Sequence, residues 1–254
     1  MATSFQNCSV RWFPRLVFAL LCMMILGCAV DLPLPKHPIM GSDFGYPNYK
    51  LTLQTETERA NFHVKLFTLK YDDCASGYID YLEFDGSINT EAIEAFQAIF
   101  LEAQGCKARD GRALYPFVYL NSSFGEYKDG YALGELFRRF NIQTIVAQGQ
   151  VCRGACAVAF LGGKLRKIQD RGSVVFGFSK AKGVGMGGGA GTATGIGIDC
   201  GRASEQVLMR AYLQKFLELA AADRLYFNLL NYCTQADGLS LTAETAAAWQ
   251  VTNE

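Results

Sequence analysis

The sequence is poor in the residues on which many catalytic and nucleic-acid-binding sites depend. It contains only two histidines in 254 residues, His37 and His63, so an imidazole base has few places to lie. It also lacks an excess of either charge. The 24 basic side chains are balanced by 24 acidic ones, which gives no support for a nucleic acid or another polyanion as partner. Half of the residues are hydrophobic, which predicts a folded domain with a sizeable core.

Motifs for metal ions and phosphates are missing as well. The cysteines form no Cys-x-x-Cys pair and have no histidine near them, so no metal site is predicted. Residues 183–197 are dense in glycine. They lack the Gly-Lys-Ser/Thr ending of a phosphate loop, and no Gly-x-Gly-x-x-Gly sits tightly between a strand and a helix. We therefore expect a loop here, and we predict no cofactor.

The longest uncharged apolar run, residues 16–27, is too short to span a bilayer about 30 Å thick as a helix. It follows a segment with two arginines and no acid, which is typical of a signal peptide over residues 1–27. Ile25-Leu26-Gly27-Cys28 resembles the bacterial lipobox, in which the cysteine is acylated. Residues 28–48 are rich in proline and predict a tether. The alternatives are an uncleaved membrane anchor and a plain secretory signal.

These features together predict a lipoprotein in the bacterial cell envelope, attached to the lipid bilayer through acylated Cys28 and facing the periplasm. Six cysteines remain beyond Cys28, and an even number in an exported chain agrees with export because it favours disulfides. Six cysteines allow fifteen pairings, and the sequence chooses none of them; proximity favours Cys152 with Cys156 only weakly. The six candidates are Cys74, Cys106, Cys152, Cys156, Cys200 and Cys233.

The remaining chain, residues 49–254, reads as one α/β domain. Two segments near its start alternate apolar and polar residues, as half-buried strands do. Strands and helices then alternate, which predicts βαβ units and a mainly parallel sheet. The predicted strands are 115–121, 144–149 and 173–178; a turn and helix follow at 152–163. The other helices are 90–104 with Asn89 or Thr90 as cap, 130–140, 203–221, and a short closing helix capped at Thr242.

Three segments resemble the ClpP/crotonase superfamily, and more narrowly exported proteins of that fold with no assigned role. VYLNSSFGEYKDGYALGELFRRF is similar to the family's strand, glycine loop and helix. TIVAQGQVCRGACAVAFLGG resembles the strand and nucleophile turn, and GSVVFGFSKA resembles the strand that ends at the catalytic histidine. The resemblance covers roughly residues 75–254. It implies stacked ββα units, and trimers or larger rings as possible homo-oligomers.

The same resemblance implies that the catalytic side chains are lost. Gly154 stands at the nucleophile position, and Phe178, with Phe176 as the alternative, stands at the base position. A hydroxyl is a poor nucleophile until a base takes its proton. A domain that has lost both the nucleophile and the base therefore has no means of nucleophilic catalysis. The backbone amides of Gly125 and Ala155 occupy the positions that form the oxyanion hole in this superfamily, so a carbonyl or carboxylate could still bind there.

The sequence therefore predicts a catalytically degenerate ClpP/crotonase-like domain that binds or scaffolds an unknown envelope protein or peptide. The alternative is a serine- or cysteine-type peptidase or an acyl hydrolase with a non-standard nucleophile. A cysteine could serve there, because a helix N-terminus lowers a thiol pKa. Crotonase-type chemistry would need a glutamate in the pocket, for which Glu126 and Glu135 are available.

Overall fold

The computed structural model describes residues 51–177, 203–232 and 238–253. The predicted signal peptide, the tether, the glycine-dense segment 183–197 and four predicted site residues lie outside these ranges. Those four residues are Cys28, Phe178, Cys200 and Cys233.

Two sheets and six helices make up the described domain, together with a small hairpin. The large sheet has the order β1 (Leu51–Glu58), β2 (Phe62–Lys70), β3 (Tyr78–Gly86), β6 (Phe117–Asn121), β7 (Gln143–Val146) and β9 (Arg166–Ile168). The small sheet has the order β11 (Leu239–Thr242), β10 (Ser173–Phe176) and β8 (Val151–Arg153), and the hairpin is β4 (Cys106–Lys107) with β5 (Ala113–Leu114). The helices are α1 (Thr90–Phe100), α2 (Tyr127–Arg139), α3 (Ala155–Leu161), α4 (Ala203–Phe216), α5 (Leu219–Tyr232) and α6 (Ala243–Ala248).

The large sheet is mixed and mainly parallel. Strands β1, β2 and β3 form antiparallel pairs, and the three following pairs, β3 with β6, β6 with β7 and β7 with β9, are parallel. Each parallel strand of the large sheet is followed by a short strand or bridge outside that sheet and then by a helix. This pattern holds for β7, β8 and α3, and also for β6, the single parallel bridge between Ser122 and Cys152, and α2. The predicted α/β class with its mainly parallel sheet is confirmed.

Helix α3 lies at the centre of the apolar core, and all seven of its residues are buried. It packs closely on α2 because three glycines leave room for the backbones to approach. A Cβ on Gly130 would overlap the carbonyl oxygen of Ala155, and one on Gly162 would overlap the carbonyl oxygen of Gly134. The alanine-rich sequence of α3 is thus explained by the space available.

Local signals placed several helix ends well. Asn89 caps α1 by accepting a hydrogen bond of 2.8 Å from the Ala92 amide. Thr242 caps α6 by accepting one from the Thr245 amide. Both confirm the sequence-based expectation, and they stabilise helix ends whose first amides have no partner within the helix. Among the helices that the structure describes, none combines the length and apolar composition needed to cross a bilayer.

Other predicted bounds were wrong. Helix α1 ends at Phe100 rather than near 104. Helix α2 starts at Tyr127, three residues earlier than expected. The helix predicted over 203–221 is two helices, α4 and α5, separated at residues 217–218. The turn and helix predicted from residue 152 begin instead with a strand, because β8 pairs in parallel with β10. These differences arise from tertiary pairing, which local sequence patterns do not report.

Candidate functional site

The candidate site is built on the turn between β8 and α3. Gly154 forms this turn with φ 61° and ψ −112°, a positive φ that residues with a Cβ rarely adopt. Its amide donates to the carbonyl of Val175 in β10 at 2.9 Å, and its carbonyl accepts from Val158 at 3.2 Å. The turn is therefore fixed from both sides, as a turn that presents a nucleophile must be.

Few of the described residues lie near Gly154 on the side where a side chain would project. Among them, a Cβ built there meets one heavy atom within 4 Å, the Tyr127 hydroxyl oxygen at 3.9 Å. A serine at this position would therefore clash with none of the described residues, although it would adopt a strained backbone conformation.

Among the described residues, Tyr127 places a polar side chain next to Gly154. Its hydroxyl donates a hydrogen bond to the carbonyl of Gly177, which directly follows β10. A Cβ at Gly177 would lie 3.8 Å from the same hydroxyl oxygen, so one phenol lies between the turn and the end of β10. Burial raises the pKa of Tyr127 from 10.0 to about 12, and the nearby carboxylate of Glu205 adds to the shift. The phenol is therefore neutral near pH 7.

A disulfide crosses the turn from β8 to α3. It joins Cys152 to Cys156, with the two Cα atoms 5.0 Å apart, and both residues are fully buried. The weak preference for this pair is correct. The strand at β8 explains how cysteines four residues apart can bridge, since they are not on one regular helix. Because both sulfurs are bonded to each other, neither is a thiolate nucleophile in this state.

Gly125 and Ala155, predicted to supply the oxyanion-type amides, lie next to each other. Gly125 has φ 140° and forms a parallel bridge with Ile88. A Cβ there would lie 2.5 Å from the Ile88 carbonyl oxygen and 3.0 Å from the Cβ of Ala155. Only glycine fits so close an approach. Ala155 is the first residue of α3, so its amide has no acceptor within the helix.

The remaining polar candidates lie elsewhere. His63, on β2, contacts Glu56 on β1 through its Nε2 at 3.1 Å. Glu126 is exposed and pairs with Lys128 at 2.9 Å, and Glu135 pairs with Lys215 on α4 at 2.5 Å. These contacts occupy both glutamates. Phe176, the alternative base position, is fully buried in the core.

Two residues of this site, Tyr127 and Gly177, were missed by sequence reasoning. Tyr127 lies before the helix predicted over 130–140, and nothing local indicates that it contacts a residue fifty positions later. One available signal was the helical spacing of Tyr127 and Tyr131, whose rings lie 6.3 Å apart on one face of α2. That pattern predicts a buried helical face that starts before residue 130.

Comparisons with known proteins find structural rather than sequence similarity. Neither the known protein families nor the curated proteins include a match to this sequence. Among solved structures, the chain is similar to the 1510-N membrane-bound stomatin-specific protease. A lysine-to-alanine mutant of it in complex with a substrate peptide has 15% identity and a TM-score of 0.45, over 67% of this chain and 71% of that one. A serine-to-alanine mutant has the same identity and TM-score, with 75% of that chain covered.

The ClpP protease catalytic domain from Plasmodium falciparum is similar at 16% identity and a TM-score of 0.43, over 67% of this chain and 80% of that one.

Proposed function

We propose that this chain is a membrane-tethered cell-envelope protein whose ClpP/crotonase-like domain is catalytically degenerate and acts by binding or scaffolding. The observation that carries the proposal is the turn at Gly154. The turn is held in place and has room for a side chain, but the residue has none. The nearest polar group, Tyr127, is a buried phenol already committed to the Gly177 carbonyl.

The chemistry of the surrounding groups supports this proposal. Acyl transfer needs a nucleophile and a group that removes its proton. Tyr127 does not meet the second need, because its pKa of about 12 keeps it protonated and it donates its proton to a carbonyl. It does not meet the first either, since an uncharged phenol is a weak nucleophile. Cys152 and Cys156 are joined to each other, which argues against a cysteine-type peptidase.

The binding role rests on backbone groups rather than side chains. The adjacent amides of Gly125 and Ala155 are suited to a carbonyl or carboxylate oxygen of a ligand, the kind of group that the same positions hold in active relatives of the superfamily. A ligand bound there would meet the exposed ring of Phe124, which directly precedes Gly125. We infer a peptide or protein segment of the envelope as ligand, with a homo-oligomer as its platform.

Activity-based labelling tests the inactive site. The purified chain is treated with a fluorophosphonate probe and, separately, with an iodoacetamide probe under non-reducing conditions, and labelling is measured by intact-mass spectrometry. We expect no stoichiometric product with either probe. One residue fully labelled by the fluorophosphonate, or full alkylation of Cys152 or Cys156 by iodoacetamide, would overturn the proposal and favour the peptidase or acyl hydrolase. Prior reduction is the matched control for iodoacetamide, because it should generate labelled cysteines.

The tether is tested independently of the site. Wild-type chain and Cys28→Ala are expressed in a bacterial host, and membrane and soluble fractions are compared. We expect the wild type in the membrane fraction and the variant in the soluble one. Equal sedimentation of both would show that acylation of Cys28 is not the anchor. Sizing of the chain with crosslinking tests the oligomer separately.

A further inference from the structure

A cleft lies at the opposite end of the large sheet from the Gly154 turn. It has a volume of about 720 Å³, with a floor formed by the ends of β1, β2 and β3 and a rim formed by residues 75–78 and 102–107. Six residues separate Asp80 in its floor from Gly86 at the far end of β3, which is about 20 Å of strand. The cleft is therefore separate from the candidate site already described.

The floor of the cleft is polar where the neighbouring core is apolar. On the helix-facing side of β2 and β3, alternate residues such as Leu66, Leu82 and Phe84 are buried in the core. Thr68 on β2 and Asp80 on β3 lie on this same side of the sheet, past the end of α1, and they are paired directly opposite each other. This change from apolar to polar residues is expected where a sheet faces a ligand or water rather than a helix.

Asp80 is the fixed point of this floor. It is only 8% exposed, and its carboxylate accepts hydrogen bonds from the Thr68 hydroxyl at 2.5 Å and from the Gln104 amide at 2.7 Å. Each oxygen keeps a lone pair for a further donor. The carboxylate makes no ion pair with another residue in the described ranges. The Asp80 carboxylate is thus fixed in position and can still accept hydrogen bonds from a ligand.

The rim is held rigidly over this floor. The disulfide Cys74–Cys106 joins its two segments, with the Cα atoms 5.7 Å apart. The Ala75 amide donates to the carbonyl of Lys107 at 2.7 Å, and the Asp80 amide donates to the carbonyl of Gln104 at 3.1 Å. A cleft whose walls are fixed in this way is largely formed before a ligand arrives, which lowers the entropic cost of binding.

The side chains that line the cleft offer both donors and acceptors next to an aromatic face. Gln54 and Gln104 carry amides, each with two N–H donors and one acceptor. Neither side chain makes a hydrogen bond to another described residue. Tyr78, which shares a row with Asp80, is 57% exposed. Charge is nearly balanced, because Lys107 offsets one of the carboxylates of Asp80 and Glu102.

We propose that this cleft binds a neutral saccharide. Adjacent sugar hydroxyls donate and accept at once, which matches the amides and the carboxylate. The C–H face of a pyranose ring packs on an exposed aromatic ring such as Tyr78. A cationic ligand fits less well because Lys107 stands at the rim, and an anion fits less well because of Asp80 and Glu102. The glycan-binding role is independent of the inactive site at Gly154.

Ligand-observed NMR tests the assignment. The purified full chain in detergent is mixed with cellobiose or with N,N′-diacetylchitobiose, each at about 10 mM, above the millimolar Kd expected of a small neutral ligand. We expect saturation transfer from the protein to the ring protons of at least one sugar. Tyr78→Ala and Gln104→Ala should each weaken binding by about tenfold, since each removes one of the few contacts available.

Matched controls make the outcome decisive. Tyr232→Ala and Gln214→Ala replace exposed residues of the same types on α5 and α4, and both should bind as the wild type does. All variants are checked for an unchanged urea midpoint. The proposal is overturned if folded wild type gives no saturation transfer with either sugar, or if Tyr78→Ala binds as tightly as Tyr232→Ala. Displacement of the sugar by millimolar putrescine would also overturn it and assign a cation site.

Discussion

The two ends of strand β3 lead to sites of opposite character. At the Gly154 end, backbone groups define the site. Gly125, Gly154 and Ala155 lie close together, a buried disulfide crosses the turn, and one neutral phenol faces the space. At the Tyr78 end side chains define the site: a hydrogen-bonded carboxylate, side-chain amides that bond to no other described residue, and an exposed ring. A site defined by backbone geometry can lose its reactive side chains and keep its shape. A site defined by side chains cannot.

The two disulfides also differ in the length of chain that they enclose. Cys152–Cys156 encloses a very short loop inside the core, whereas Cys74–Cys106 spans 32 residues and holds the rim of the cleft at the Tyr78 end. The first fixes the geometry of one turn, and the second limits the freedom of a long segment that has little core of its own. The variants below are expected to separate these roles.

The largest effect is expected from Gly162→Ala, which attacks the support of the Gly154 turn. The added methyl would overlap the carbonyl oxygen of Gly134 on α2 and force α2 and α3 apart. Because the added methyl would meet backbone atoms, which cannot move aside as a flexible side chain does, the clash should cost about 5 kcal/mol or more, measured by urea unfolding. Gly177→Ala is the matched control, because among the described residues its Cβ meets just the Tyr127 hydroxyl, at 3.8 Å. Equal stability of the two variants would show that α2 and α3 are not packed as described.

Removal of each disulfide is expected to give the next largest losses of stability, and the loss of Cys74–Cys106 should cost more than the loss of Cys152–Cys156. Loop-closure entropy predicts a loss of about 4 kcal/mol for Cys74→Ala with Cys106→Ala and about 2 kcal/mol for Cys152→Ala with Cys156→Ala. The first double variant should also lose saccharide binding, and the second should keep it. Urea midpoints and the NMR experiment check both halves. The reverse order of stability would mean that buried packing at Cys152, rather than chain entropy, dominates.

Alkaline pH is expected to weaken the Gly154 end through Tyr127. Because its pKa is raised from 10.0 to about 12, the stability it provides is fully present below pH 10 and is lost as pH rises through 12. Tyr127→Phe should cost about 1 kcal/mol at pH 7, where the bond to Gly177 is lost. It should then reduce the decline above pH 10 by about 2 kcal/mol. Superimposable stability profiles of variant and wild type, measured from pH 7 to 12, would contradict this.

The sequence predicted the architecture better than the sites, for a physical reason. Helix caps and the alternation of strands with helices are local, so Asn89, Thr242 and the α/β class were predictable. Strand β8 was not, because its three residues are ordered by pairing with β10 and carry no pattern of their own. Tyr127 and Gly177 meet only after the chain folds. Asp80 looks like an ordinary polar residue in an alternating strand until the end of α1 is known.

The smallest effect, and the one that tests the proposed loss of catalysis most directly, is expected from Gly154→Ser. The serine fits sterically, and the positive φ should cost about 1 kcal/mol. Its hydroxyl lies within reach of the Tyr127 oxygen, which can accept a hydrogen bond while donating to Gly177 but is far too weak a base to remove the proton. The variant should therefore stay unlabelled by a fluorophosphonate probe. Full labelling at Ser would mean that a base is already in place, and that a single residue separates this turn from catalysis.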